Sequence, residues 1–277
     1  MTIDQQGSAE TVTATAQVSV GGWVLNARLS VPTAPTPLRT MLPVVQQLAD
    51  GMISLAVRTV EEEGKQISCK AGCGACCRQL VPITEVEARN IRDLVDGMPE
   101  PRRSQVRARF AEARRRLQEA GVLERLEQRG QWSAEEFQTI GLEYFYLGIP
   151  CPFLEDESCS IHPERPITCR EYLVTSPAEN CSHPTAENID WVGLAVKVWR
   201  ELALFAKVAP GAQYLRWVPL VLAPEWADTH PEEPELRPGP KWLEELFERI
   251  AAKASSGQEA ATAPTDPGTG ERMKAEG

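Results

Sequence analysis

The spacing of apolar positions along this 277-residue chain changes several times, and each change marks an element. From Thr11 to Val31 apolar and polar residues alternate. With Gly21-Gly22 as a two-residue turn, where both positions favour positive φ, Val20 faces Trp23, Val18 faces Leu25, Ala16 faces Ala27, Ala14 faces Leu29 and Val12 faces Val31. These side chains share one face. Thr13, Thr15, Gln17, Ser19, Asn26, Arg28 and Ser30 take the other, with Val24 the apolar exception. The pattern predicts an N-terminal β-hairpin. A two-stranded ribbon is marginal alone, so its apolar face must rest on the body of the chain, the simpler reading, or on a partner protein.

Beyond a turn-rich link at 32–37 the period lengthens. Met41, Val45, Leu48, Met52, Leu55 and Thr59 recur at three- and four-residue steps, which predicts an amphipathic helix. Pro43 fits only its first turn and Gly64 is its C-cap. Thr84-Glu85-Val86-Glu87 has capping-box spacing and opens a helix that closes near Asp96-Gly97. A further helix runs from about Pro101 towards Gln128, broken at Gly121, with Val106, Phe110, Ala113 and Leu117 as its stripe. Ser133-Ala134-Glu135-Glu136 repeats the box, and Phe137, Ile140, Tyr144 and Phe145 form the buried face that follows.

Cys151 to Cys181 is proline-rich and irregular. Trp191 to Val208 reads both ways, because Val192, Leu194, Val196 and Val198 alternate while Trp199, Leu202 and Phe205 step as in a helix. A short helix is expected from about Pro219, and a clearer one over Lys241 to Lys253 with Trp242, Leu246 and Ile250 inward and Pro240 at its start. With no strand–helix alternation, the fold class is mainly α, a helical domain built around an irregular cysteine centre, with the hairpin at its N-terminus. The expected divisions are a flexible 1–10, a hairpin and link over 11–36, a helical domain over 37–253 with its core at 69–181, and a disordered tail over 254–277.

Composition narrows the function classes. Hydrophobic residues at 42% and charged residues at 25% suit an ordinary folded domain. A formal charge of −10 disfavours general nucleic-acid binding, which needs a basic surface to displace counterions. The one basic patch is the helix bearing Arg102, Arg103, Arg107, Arg109, Arg114, Arg115 and Arg116. It offers either a face for an anionic partner or, the simpler reading, a solvated face offset by nearby glutamates. The N-terminus lacks a charged segment followed by an apolar one, and Lys197, Arg200, Glu201 and Lys207 interrupt the apolar run at 191–208. A cytoplasmic location without membrane insertion is therefore expected, and there clustered cysteines serve metals or redox chemistry more often than disulfides.

The cysteines carry the chemistry. Cys69, Cys73, Cys76 and Cys77 fall within nine residues, with Gly72 and Gly74 flanking Cys73; Cys151, Cys159, Cys169 and Cys181 form a looser second group. Thiolates bind zinc or iron–sulfur clusters. Eight thiols suit two four-thiolate sites, or one cluster plus a structural zinc. The adjacent Cys76 and Cys77 point in different directions whether extended or helical, which disfavours a plain single-zinc knuckle. Arg78, Arg165 and Arg170 stand near cysteines and could offset cluster charge or simply pair with Glu164 and Glu171. His162 and His183 are reserve ligands, though loop histidines more often face solvent.

The spacing Cys69-x3-Cys73-x2-Cys76 resembles the triad with which radical S-adenosylmethionine enzymes hold a [4Fe-4S] cluster, although those enzymes use a β/α barrel and no barrel pattern exists here. The whole series is more specific. Cys69-Lys-Ala-Gly-Cys73-Gly-Ala-Cys76-Cys77-Arg78, Cys151-Pro152-Phe153-Leu154, Cys159-Ser-Ile, Arg165-Pro166-Ile-Thr-Cys169-Arg170-Glu-Tyr172 and Cys181 resemble the CxxCxxCC (YkgJ-type) cysteine cluster family. The first gap here is three residues instead of two. The resemblance covers Cys69 to Cys181 and implies a zinc or iron–sulfur centre, [4Fe-4S] favoured, held by all eight cysteines. One branch of that family is a flagellin lysine N-methylase, so two classes stay open: a closed metal-binding module, or an enzyme with an open metal position for S-adenosylmethionine or redox chemistry.

Overall fold

A computed structural model describes residues 2–4, 10–20, 23–128, 132–185, 187–205, 216–232 and 234–255. Strand β2 (Thr11–Val20) pairs antiparallel with β3 (Trp23–Pro32) in the predicted register, from Val12↔Val31 to Val20↔Trp23. The Gly21-Gly22 turn itself lies outside the described residues. Within the stretch expected to be flexible, β1 (Thr2–Asp4) pairs with β2 and makes the hairpin a three-stranded sheet. A segment this short carries too few alternating apolar residues to announce itself as a strand.

The apolar face of the sheet rests on the chain's own helices. Val12, Ala14, Ala16, Val18, Ala27, Leu29 and Val31 join one core with Leu48 and Met52 of α1 (Leu42–Glu62) and Leu246 and Ile250 of α9 (Gly239–Ser255). Two glycines allow the close approach. A Cβ on Gly51 would stand 3.1 Å from Leu25 Cδ1, and one on Gly239 would stand 2.6 Å from the Pro32 carbonyl oxygen. Strand β4 (Pro35–Pro37) pairs with β9 (Leu236–Pro238) to fasten the link between these layers. By length and composition alone, Leu38–Glu62 could cross a membrane, but Val45, Leu48, Met52 and Leu55 are spent in the core.

The predicted helices follow. Pro43 sits in the first turn of α1, and Gly64 turns the chain after its end at φ +80°. Both boxes form: Thr84 and Glu87 cap α2 (Glu85–Asp96), and Ser133 and Glu136 cap α5 (Ala134–Tyr146). Gly121, at φ +70°, separates α3 (Arg102–Glu119) from α4 (Leu123–Glu127). Ile91 and Val95 of α2 and Phe110 of α3 share a second core with Trp226 of α8 (Ala223–Thr229) and with Phe153 and Ile161 from the second cysteine group.

Two expectations are corrected. The helix expected near Pro219 starts at Ala223, because Val218–Pro219 (β8) pairs with Pro82–Ile83 (β5) and a 3-10 turn at Leu220–Leu222 intervenes. The double pattern at 191–208 is divided in sequence rather than settled one way. Trp191 bridges Val174 and the extended chain buries Val192 and Val196, after which α7 (Val198–Ala203) buries Trp199 and Leu202. Residues 206–208 and the expected tail beyond 255 lie outside the described residues.

Candidate metal centre

The first cysteine group is a loop shaped by turns. Gly72 takes φ +85°, Cys73 N donates to Lys70 O at 3.1 Å, and Cys76 and Cys77 fall in a 3-10 turn over Ala75–Arg78. The second group has more order than its prolines suggested. Strands β6 (Leu154–Glu155) and β7 (Ser158–Cys159) form a small hairpin around Asp156 and Glu157, at φ +48° and +57°. Both turn positions are left-handed without a glycine, so the usual sequence signal for a two-residue hairpin is missing. Cys169 rides on α6 (Ile167–Glu171) and Cys181 on a 3-10 turn at Ala178–Ser182.

The two groups are joined directly. Cys151 N donates to Cys77 O at 2.7 Å and Ser68 N to Val174 O at 2.9 Å. Gln79 Nε2 donates to Tyr172 Oη at 2.9 Å, and Thr168 Oγ1 to Pro82 O at 2.6 Å. Arg78 forks onto both carboxylate oxygens of Glu157 at 2.9 and 2.6 Å. Gly74 lies beneath that turn; a Cβ there would stand 2.6 Å from Glu157 O and 2.5 Å from Leu154 Cδ1.

All eight thiols are unbridged, and all line one of two cavities that share walls. The first cavity, about 170 Å3, is bordered by Cys73, Cys76, Cys77, Cys151, Cys159 and Cys169. The second, about 210 Å3, is bordered by Cys69, Cys73, Cys76, Cys169 and Cys181. Cys73, Cys76 and Cys169 therefore face both. Among the described residues no three cysteine, histidine, aspartate or glutamate side chains stand as a ready ligand set for one ion; the thiols border space larger than a single ion fills.

Burial pushes these thiols up. It raises Cys151 to about 12 and Cys181 to about 11, and lifts Cys69, Cys159 and, most strongly, Cys169 above the ordinary thiol value. A hydrogen bond that the Cys76 thiol donates to Cys77, with burial second, raises Cys76. A buried thiol ionises only when a positive charge offsets its lost hydration. A soft cation supplies that charge and takes the thiolates as ligands, so the donor set fits zinc or iron.

The three arginines divide. Arg165 borders both cavities and draws Cys69, Cys76 and Cys159 back downwards. Arg78 is taken by Glu157. The buried Arg170 grips Asp50 of α1 at 2.9 Å, Arg165 O at 2.9 Å and Pro163 O, fastening α6 to the body. Neither Arg78 nor Arg170 takes Glu164 or Glu171, the alternative partners that the sequence offered. Arg165 also donates to Nε2 of His162 at 2.8 Å, which occupies that lone pair, and His183 is exposed. In the basic helix, Arg102, Arg109 and Arg116 bind the carbonyls of Ser160, Pro152 and Leu147, while Arg103, Arg107, Arg114 and Arg115 pair with acidic neighbours. This helix clamps the second cysteine segment.

Sequence reading missed the reach of Glu87. Oε2 closes the capping box, while Oε1 accepts from Ile167 N, the first residue of α6, at 2.7 Å. Burial dominates its titration and holds the carboxyl above the usual range, against the opposing donors. The folded chain thus binds this proton more tightly than the unfolded chain. Its contribution is fully present below the ordinary carboxylate value and is lost as pH rises through the raised one. Glu87→Ala should cost about 2 kcal/mol through the lost cap and the orphaned Ile167 N–H. The deficit, read from denaturant midpoints, should be larger at pH 5 than at pH 8.

Residues 68–191 match the CxxCxxCC family model, whose description is "Putative zinc- or iron-chelating domain". No curated protein and no solved structure matches the chain significantly.

Proposed function

We propose that this protein, whose residues 68–191 match the CxxCxxCC family model, carries an iron–sulfur cluster, [4Fe-4S] favoured, and/or zinc through Cys69, Cys73, Cys76, Cys77, Cys151, Cys159, Cys169 and Cys181. The observation that carries the reading is that two groups of thiols, far apart in sequence, border two cavities with three cysteines in common. Thiols spread around a volume beyond one ion's need favour a polynuclear centre over an isolated zinc. A cluster of this kind supplies one-electron transfer, whereas zinc supplies a cross-link. Eight unbridged thiols also suit the reducing cytoplasm.

Anaerobic purification followed by metal and acid-labile sulfide analysis tests this. Iron and sulfide in near-equal amounts in a brown protein support the cluster. A colourless protein with zinc and no sulfide moves the reading to a closed zinc module, and a chain without either metal overturns it. An enzyme with an open metal position is the second reading, favoured by the cavity of about 170 Å3 beside the thiols. A change in the cluster's absorption on adding S-adenosylmethionine would support it.

A further inference from the structure

The two cavities differ in the charges that accompany their thiols. The walls of the cavity of about 170 Å3 include Glu171 and Lys197, charges of opposite sign. The cavity of about 210 Å3 has no carboxylate among its described walls. Its polar groups other than thiols are Lys70, His162, Arg165 and Tyr172, which border the first cavity too. Lys70 is exposed and therefore screened by water, whereas Arg165 is partly buried.

Arg165 is held in place without being neutralised. Among the described residues no carboxylate pairs with it, whereas Arg78 is taken by Glu157 and Arg170 by Asp50. Its partner is Nε2 of His162 at 2.8 Å, an uncharged acceptor, because burial, with Arg165 next, holds that ring below its ordinary value. The bond orients the guanidinium and leaves its charge to the cavities. A cation drawn out of water without a counter-ion is costly, and thiols ionised by a metal would supply the missing negative charge. Tyr172 is oriented in a similar way. Gln79 Nε2 donates to its oxygen at 2.9 Å, so the phenolic proton points elsewhere, and Cys181, which packs beside Tyr172 in one small core, receives it.

Resting on the thiolate centre proposed above, we propose that Arg165 is its counter-charge and that Tyr172 assists by donating to Cys181, so that together they tighten metal retention and ease the uptake of an electron. Four thiolates around a divalent ion or a doubly charged cluster leave a net negative charge, and an added electron increases it. Net charge and hydrogen bonds to sulfur are among the levers that set the potential of such a cluster. A fixed cation facing both cavities favours the more negative state, so its loss lowers the potential. Arg165 serves here as a point charge and not as a fork onto a carboxylate, which makes lysine an adequate replacement.

The test follows metal loss to excess EDTA from full-length protein purified anaerobically, with zinc, iron and sulfide measured first. Arg165→Gln should release metal about 10-fold faster than wild type, at the low end of outer-shell effects, and Tyr172→Phe several-fold faster. Arg165→Lys should release it at close to the wild-type rate. Arg78→Gln removes an arginine that borders neither cavity and should change the rate least. Where the metal is an iron–sulfur cluster, the midpoint potential of Arg165→Gln should fall by about 59 mV, a tenfold change in the ratio of oxidised to reduced protein for one electron, and that of Arg165→Lys should stay near wild type. Wild-type release from Arg165→Gln overturns the proposal. So does Arg165→Lys behaving like Arg165→Gln, because shape and not charge would then be at work. Should Arg165→Gln fail to fold, a loaded Arg165→Lys with faster loss from Tyr172→Phe supports the proposal, and unchanged loss from Tyr172→Phe overturns it. A wild-type protein without metal sinks the proposed function as well, whereas a loaded wild type with unchanged variants sinks the counter-charge alone.

Discussion

Cys76→Ser is expected to strip the protein of most of its bound metal and to lower the soluble yield with it. Cys76 faces both cavities. Its charge is felt by Cys69, Cys151, Cys159, Cys169 and Cys181, thiols drawn from both sequence groups. Serine keeps the volume but gives a hard, weakly acidic oxygen in place of a soft thiolate. Outer-shell changes alone commonly lower metal affinity by about 10- to 100-fold, and loss of a central ligand should exceed that. Cys73→Ser shares the prediction because Cys73 also faces both cavities. Of these two cavities Cys77 lines only the one of about 170 Å3, so its replacement should leave more metal behind. Elemental analysis after gel filtration decides the matter; full loading of the Cys73 and Cys76 variants would remove the basis for a thiolate centre.

Gly74→Ala should damage both the fold and the metal content although it touches no ligand. The added carbon meets the Glu157 carbonyl oxygen at 2.6 Å and its carbon at 2.9 Å. Leu154 can rotate aside, but the backbone of Glu157 cannot easily yield. It lies in a turn with two consecutive left-handed residues, and Arg78 draws its side chain towards the loop. The loop and the β6–β7 hairpin must therefore separate, which moves Cys73 and Cys76 relative to Cys159. Overpacking of this kind costs about 1–3 kcal/mol, and here it should also reduce metal content. Gly72→Ala is the control. Gly72 has φ +85° but open space around it, so alanine adds about 1 kcal/mol of backbone strain without forcing the groups apart. Thermal midpoints and metal content measured side by side should fall together for Gly74→Ala. For Gly72→Ala only the midpoint should fall; equal metal loss in both would remove the claim that the Gly74 contact sets the geometry.

The contrast between these glycines also marks what the sequence could disclose. Local features were legible because their causes are local. The hairpin register follows from alternation about a two-glycine turn, and the ends of α2 and α5 follow from side chains that bind backbone three residues away. The second oxygen of Glu87 was not legible, because its partner at Ile167 is 80 residues distant. The β6–β7 turn was hidden for a different reason. Asp156 and Glu157 adopt a conformation they do not prefer, in a setting where Glu157 pairs with Arg78 and its backbone packs on Gly74. Pro219 misled because proline starts helices often, yet here it lies in a strand paired with Pro82. Of the site, the eight cysteines were visible as a set, but their division between two cavities depends on how α6 and the 3-10 turn at 178–182 return to the first loop. Phe137 and Phe145 of α5 were expected only as buried core; with Gly141 and Leu142 they gave no sequence sign of bordering the cavity of about 170 Å3.

The backbone bond between Cys77 and Cys151 has a kinetic consequence. It closes a loop of roughly 70 residues, whose closure entropy is on the order of 4 kcal/mol by the relation used for covalent cross-links. Helices α2 to α5 occupy that interval, and their internal turns rest on contacts far nearer in sequence than this bond, so the turns are expected to form earlier, although α2 and α3 complete their core only with Trp226 of α8. The two cysteine groups are therefore expected to meet after the intervening helical turns have shortened the effective tether. Metal supplied during refolding should accelerate the final step and leave the early helical phase unchanged.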